Sequence, residues 1–413
     1  MANASSALIQ QLSAETLAVM RREIGGAPES WRVDEIGDGN VNLIFRVAGP
    51  SGQVLVKQAV PYLRCVGESW PLSLRRNFFE FTALSEHAKV APELLPKVLA
   101  FDEVSAAMVM EFLGEHIILR KGVMQGIRYP RFAEHITDYM AKTLFFTSDL
   151  FLPSAEKKEK LKVFCDNIDL CKITEDLIFT DPYRQAEKNR WTSPGLDQLV
   201  GELGRDLELK IAITEMKAKF LTASEALIHG DLHTGSIMVS QTETKVIDPE
   251  FAFYGPMGFD VGLLLANFFL SYYSQAGLAK NPPDYEDWLL DQVTEIWTKF
   301  EHKFSALWHE QLRGDYLPAR LLTADTRAQV IERVRSAYVA RLFEDSLGFA
   351  ATEMIRRIVG LAHVADMDDI ADTDAKARSE TRALCAAREL LLHRRKYQTL
   401  ADVLRMIRRE RRT

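Results

Sequence analysis

A chain of 413 residues, 47% apolar and 26% charged, has material for two or three domains around a sizeable core. With 51 basic against 58 acidic residues the formal charge is -7, which excludes a general affinity for nucleic acid. No apolar run reaches the roughly 18 residues of a membrane span, so no membrane association is expected.

The start, Met1-Ala2-Asn3-Ala4, lacks a basic region followed by an apolar one, and no signal peptide is expected. Residues 5–22 carry the periodicity of an amphipathic helix, ended by Gly25-Gly26-Ala27-Pro28. Strand patterns follow at 31–36, 43–47 and 54–58, the last two joined by the hairpin-type turn Gly49-Pro50-Ser51-Gly52. A helix is expected over 74–87, then strands at 98–101 and 107–111. From Glu115 the pattern turns helical, near 131–150, 155–178, 205–226, 284–311, 327–347, 350–365 and 376–395. The run near Val261 to Leu270 reads as a buried helix, and the basic tail 405–412 as a solvated helix end. This is an α+β chain divided as an N-terminal helix (1–27), a small sheet-rich lobe (28–113) and a large helical lobe (114–413). The four cysteines, Cys65, Cys165, Cys171 and Cys385, show neither CxxC pairing nor metal spacing, which suits a reducing cytoplasm.

The chemistry concentrates in His229-Gly230-Asp231-Leu232-His233-Thr234 and, seventeen residues after Asp231, in Asp248-Pro249-Glu250. Phosphoryl transfer from a nucleotide needs one carboxylate to orient the attacking hydroxyl and another to hold metal on the phosphates. Asp231 is the candidate for the first task. Asp248 and Glu250, expected at the end of a strand over 245–250 and pointing to similar sides, are candidates for Mg2+. Lys57, ending an apolar strand, can reach the inner phosphates, and Glu80 is the candidate to hold it, although a helix glutamate is commonly just exposed. Gly37-Asp38-Gly39-Asn40 is a poor match to a glycine-rich phosphate loop, but Asn40 tolerates left-handed backbone and offers an amide. The connector Glu111-Phe112-Leu113 presents backbone groups to an adenine edge. Arg356 and Arg357 lie on a helix, where neighbours diverge by about 100°, so both seldom face one site. His233 and Trp70 remain open between substrate contact and packing.

With these residues assembled, the chain resembles the kinase-like phosphotransferases that include aminoglycoside and choline kinases, and within them the methylthioribose kinases. The carrying segments are 229–237, Asp248-Pro249-Glu250-Phe251-Ala252-Phe253-Tyr254-Gly255-Pro256, Gly37-Asp38-Gly39-Asn40, Ser69-Trp70-Pro71-Leu72 and Met354-Ile355-Arg356-Arg357. The resemblance implies a bilobal protein-kinase-like fold, ATP and Mg2+ as cofactors, and methionine salvage in the cytoplasm. It implies 5-methylthioribose as the substrate, phosphorylated at its 1-hydroxyl, and a homodimer. Asn40, Lys57, Glu111, Phe112, Leu113, Asp248, Pro249 and Glu250 would contact the nucleotide and its metal. Asp231, Arg356 and Arg357 would face the sugar. Where the wider superfamily places a metal-binding asparagine, five residues after the catalytic aspartate, this chain has Ser236, and Glu250 would take over part of that coordination. The alternatives are a kinase of another alcohol (homoserine, choline or an aminoglycoside) and a catalytically silent nucleotide-binding regulator.

Overall fold

The computed structural model describes residues 8–36, 42–63, 67–278, 281–282 and 284–412. Five strands, β1 (Arg32–Glu35), β2 (Asn42–Gly49), β3 (Gly52–Ala59), β6 (Val98–Asp102) and β7 (Ala107–Glu111), form one antiparallel sheet ordered β1-β2-β3-β7-β6. Strand alternation sends Phe45, Val47, Val54 and Val56 to one face, where helix α1 (Ala14–Ile24) covers them with Met20 and Ile24. Lys57, one residue out of phase, therefore points to the opposite side. There helix α2 (Arg76–Ala88) crosses, tied down by Asn77, whose amide donates to the carbonyls of Lys57 and Ala106 (3.1 and 2.6 Å). A hairpin of β4 (Tyr62–Leu63) and β5 (Gly67–Pro71) precedes α2 and carries Trp70.

The remainder is mainly helical, built on α3 (Phe132–Phe146), α4 (Met257–Ser274), α5 (Tyr285–Gln311), α6 (Arg327–Val359), α7 (Thr373–His393) and α8 (Leu400–Arg412). Every residue of α4 is buried, as its continuous apolar run requires. The stretches expected as two helices, 327–347 and 350–365, are joined in one helix, α6, which stops at Val359, short of the expected end. Gly348 does not break it; the missing side chain makes room for Met216, whose Sδ would lie 2.5 Å from a Cβ there. The basic tail is the outer face of α8. Its apolar side (Val403, Met406, Ile407) is buried, and its arginines meet Asp402, Glu286, Asp287 and Glu389.

Three small ladders, of which the sequence pattern signals only the strand beginning near Lys245, position the chemistry. β9 (Ala226–Ile228) pairs with β12 (Phe253–Gly255), while β10 (Ile237–Val239) pairs with both β8 (Ile117–Ile118) and β11 (Thr244–Val246). The others, strands of two or three residues, give too little periodicity to be read from sequence. Together they pin both ends of the 229–236 loop and of the 247–252 loop.

Candidate active site

The loop after β9 is built around Gly230. Its φ of +81° favours glycine, and a Cβ would sit 2.1 Å from the Phe251 carbonyl oxygen. Asp260, at the start of α4, accepts the N–H groups of His229 (2.7 Å) and Gly230 (3.0 Å) on its two carboxylate oxygens. Burial pushes the Asp260 carboxyl up to about 7, against the pull of those two amides. His229 spans the two loops. Its Nδ1 accepts the Asp231 N–H at 3.2 Å, leaving Nε2 to donate to the Ile247 carbonyl at 2.9 Å.

The Asp231 carboxylate thus stands at a fixed place, and three cationic or polar side chains converge on it. His233 Nδ1 accepts the N–H groups of Gly235 and Ser236 (2.9 and 3.1 Å), so the proton belongs on Nε2, which donates to Asp231 Oδ2 at 3.2 Å. Arg356 and Arg357 approach Oδ1 at 3.4 and 3.9 Å. Burial alone would raise this carboxyl, but His233 and the two arginines overrule it and hold Asp231 far below the usual carboxylate range. Against the expectation from helical spacing, both arginines face one site. The cause is Glu353, fully buried, which accepts Arg356 at 2.5 and 3.1 Å and Arg357 Nε at 2.6 Å. Being three and four residues ahead of the pair, it draws both flexible side chains to a common face.

Across the cleft, Lys57 Nζ is 2.6 Å from Glu80 Oε2 and also donates to Asp248. Glu80 is 1% exposed, so it is not the solvated helix glutamate that composition alone would favour. Burial works against the Lys57 charge, yet Asp248, Glu80 and Glu250 outweigh it and hold its pKa above the ordinary value. The expected strand over 245–250 stops at Val246. Asp248 adopts φ +69°, a conformation rare outside glycine and asparagine-like residues. It is therefore this left-handed turn, and not strand alternation, that brings Asp248 and Glu250 together. The turn is held by Asn167, whose amide donates to the carbonyls of Glu250 and Ala252 at 2.9 and 3.0 Å.

Carboxylate oxygens of Glu80, Asp248 and Glu250 lie within 4.8 Å of one another. Burial first, then Asp248, pushes the Glu250 carboxyl up to about 7, and burial likewise raises Glu80. Hard oxygen donors with more negative charge than Lys57 balances fit a divalent cation such as Mg2+. Ser236 does not turn toward this cluster. Its hydroxyl donates to the Asp231 carbonyl (2.8 Å) and accepts the His233 N–H (2.9 Å), bracing the loop.

Asn40 falls in the segment 37–41, outside the described residues. In the connector, the Glu111 N–H is taken by the Lys97 carbonyl, and the Phe112 carbonyl accepts Gly114 N–H. The Phe112 ring lies 5.4 Å from the Arg46 guanidinium. The Leu113 N–H has no partner among the backbone bonds of the described residues, and its carbonyl accepts His116 N–H. Pro249 forms the corner between the two acids. Of the two residues left open, His233 sits on Asp231, whereas Trp70 packs under Lys188, 3.5 Å from its ring centre.

Residues 32–288 match the family model described as the phosphotransferase enzyme family. Methylthioribose kinase 1 of Oryza sativa subsp. japonica is 44% identical over 388 residues, covering 92% of this chain and 89% of the relative. Methylthioribose kinase of Escherichia coli O45:K1 is 45% identical over 386 residues, with 92% of each chain covered. The chain belongs to the methylthioribose kinase family. A third member, from Geobacillus kaustophilus, is 43% identical over 92% of this chain and 91% of its own length. Membership makes the chain a kinase-type phosphotransferase, with the bilobal α+β fold described above. Glu353 and Asp260 are not singled out by the sequence, for different reasons. Glu353 has a usable signal, an acid three and four residues before an arginine pair. Asp260 has none, since only the fold brings it to a loop thirty residues earlier.

Proposed function

We propose that this chain transfers the γ-phosphoryl group of ATP to the 1-hydroxyl of 5-methylthioribose, giving 5-methylthioribose 1-phosphate and ADP, as a step of methionine salvage in the cytoplasm. What carries the substrate assignment is the 42–45% identity to relatives named methylthioribose kinase over some nine-tenths of both chains. The same resemblance carries the expectation of a homodimer. The nucleotide would sit between a sheet-rich lobe ending near residue 113 and the helical lobe that follows. Its adenine edge would meet the Leu113 N–H, beside Glu111 and Phe112, and Asn40 would lie over the phosphates.

Asp248 and Glu250 would hold Mg2+, with Pro249 fixing the corner between them; the bound ion supplies positive charge against the phosphate oxygens. Lys57, kept charged and held by Glu80, would move from Asp248 to the nucleotide's inner phosphates. Asp231 would accept a hydrogen bond from the 1-hydroxyl and aim it in line with the γ-phosphorus. Its depressed pKa makes it an aligning group that takes the proton late, as the new P–O bond forms. Arg356 and Arg357 would bind the sugar's hydroxyls and bring positive charge to the transferring phosphoryl group.

The test is ADP release from purified protein with Mg2+-ATP and 5-methylthioribose, alongside ribose, choline, homoserine and kanamycin. Turnover confined to methylthioribose is the expected result. Turnover on another alcohol would retain the mechanism and discard the substrate.

A further inference from the structure

Glu250 does not stand by itself on its side of the cleft. Its Oε2 accepts Asn42 Nδ2 at 2.9 Å and lies 3.7 Å from Arg76 Nε. Arg76 Nε donates to Asn42 Oδ1 at 3.0 Å, and its Nη1 donates to the Ser73 carbonyl at 3.0 Å. Because a guanidinium can only donate, Asn42 must turn its oxygen to Arg76 and its NH2 to Glu250. Asn42, Arg76 and Glu250 are 3%, 2% and 2% exposed, so these bonds form in a dry setting where their geometry is strongly enforced.

The placement of these residues in the fold adds to the argument. Asn42 opens β2 and pairs in register with Ala59, two residues beyond Lys57. Arg76 opens α2, one turn ahead of Glu80. The helix that delivers Glu80, and the strand paired beside the one that delivers Lys57, thus also grip Glu250, which belongs to the other lobe.

We propose that Asn42 and Arg76 are positioning residues that hold the Glu250 carboxylate in its metal-binding orientation, linking cation binding to the seating of the sheet lobe on the helical lobe. This rests on the reading of Glu250 as a metal ligand. Side-chain volume is not the point, because the hydrogen-bonding pattern sets the carboxylate's rotation. The electrostatic alternative has the opposite sign: removing a donor from Glu250 without moving it would leave more negative charge for a cation and tighten binding.

The experiment measures free Mn2+ by electron paramagnetic resonance during titration into full-length protein saturated with ADP. It compares wild type with Asn42→Leu, Arg76→Lys and Glu250→Gln. Leucine matches asparagine in size but cannot donate; lysine keeps the charge but lacks the planar fork that serves Asn42 and Ser73 together. We expect Mn2+ binding to weaken at least fivefold in Asn42→Leu, at least threefold in Arg76→Lys and at least tenfold in Glu250→Gln. Metal-free ADP affinity should stay within threefold throughout. Weakening in Glu250→Gln with wild-type or tighter binding in the other two overturns the positioning role. Unchanged binding in Glu250→Gln overturns the ligand assignment beneath it. Should Asn42→Leu fail to fold, Arg76→Lys decides the matter by the same criterion.

Discussion

Glu353→Gln is the most telling perturbation of the substrate side. Three charge-assisted hydrogen bonds from Arg356 and Arg357 end on this carboxylate, which is 0% exposed. Glutamine keeps one acceptor oxygen and turns an NH2 donor toward a guanidinium, so at least one of these bonds is lost and one positive charge goes unbalanced. Breaking a buried ion pair by removing one partner costs about 3–5 kcal/mol. With about 2.1 cal/mol/K of unfolding entropy per residue, a chain of 413 residues has an unfolding entropy near 0.87 kcal/mol/K, and the melting temperature should drop by about 3–6 °C. Freed of Glu353, the arginines should lose their common aim at Asp231, now 3.4 and 3.9 Å away, and with it their hold on the substrate side of the cleft. Turnover should fall about tenfold to a hundredfold while ADP affinity stays unchanged. Calorimetry, steady-state kinetics and an ADP titration read all three. A melting temperature within 1 °C of wild type together with kcat/KM within twofold would refute the account of Glu353 as the residue that gathers the arginine pair.

Asp231→Asn keeps the shape but meets His233 Nε2–H and Arg356 with an NH2 group on one side, and turnover should fall by about a thousandfold. ATP affinity should remain within about threefold by calorimetric titration, and near-normal turnover would remove Asp231 from the mechanism. Asp260 titrates near 7 in the fold and well below that when unfolded, so the native state binds the extra proton. Its contribution to stability is greatest below the unfolded value and declines as pH rises toward 7; melting curves of Asp260→Asn between pH 4.5 and 7.5 should show a flatter pH dependence than wild type. Gly230→Ala combines the cost of a left-handed residue with a methyl 2.1 Å from the Phe251 carbonyl. The loop has to move, and both melting temperature and turnover should fall; a fully active, stable variant would show that the loop position is not critical.

The order of the longer strands and helices, the two acidic loops and the lysine strand are all legible in the chain, because each rests on local periodicity or on a compact motif. Val54 and Val56 against Lys57 is a period-two pattern, and that alternation by itself places the lysine on the far face of its strand. The motif around Asp231 names the reaction class because its residues are neighbours in the chain. Other features arise only when distant segments pack together. The convergence of Asp248 and Glu250 comes from a left-handed turn that pairing within the fold sustains, where strand alternation suggested another cause. Both arginines reach Asp231 because a buried glutamate draws flexible side chains against the divergence of the helix. Asp260, Asn42 and Arg76 act on loops 30 to 208 residues away along the chain, and for such partners the sequence holds no spacing to read. Along the chain such residues are isolated polar side chains like many others; only the packed fold, by excluding water, makes each of them answer to one partner.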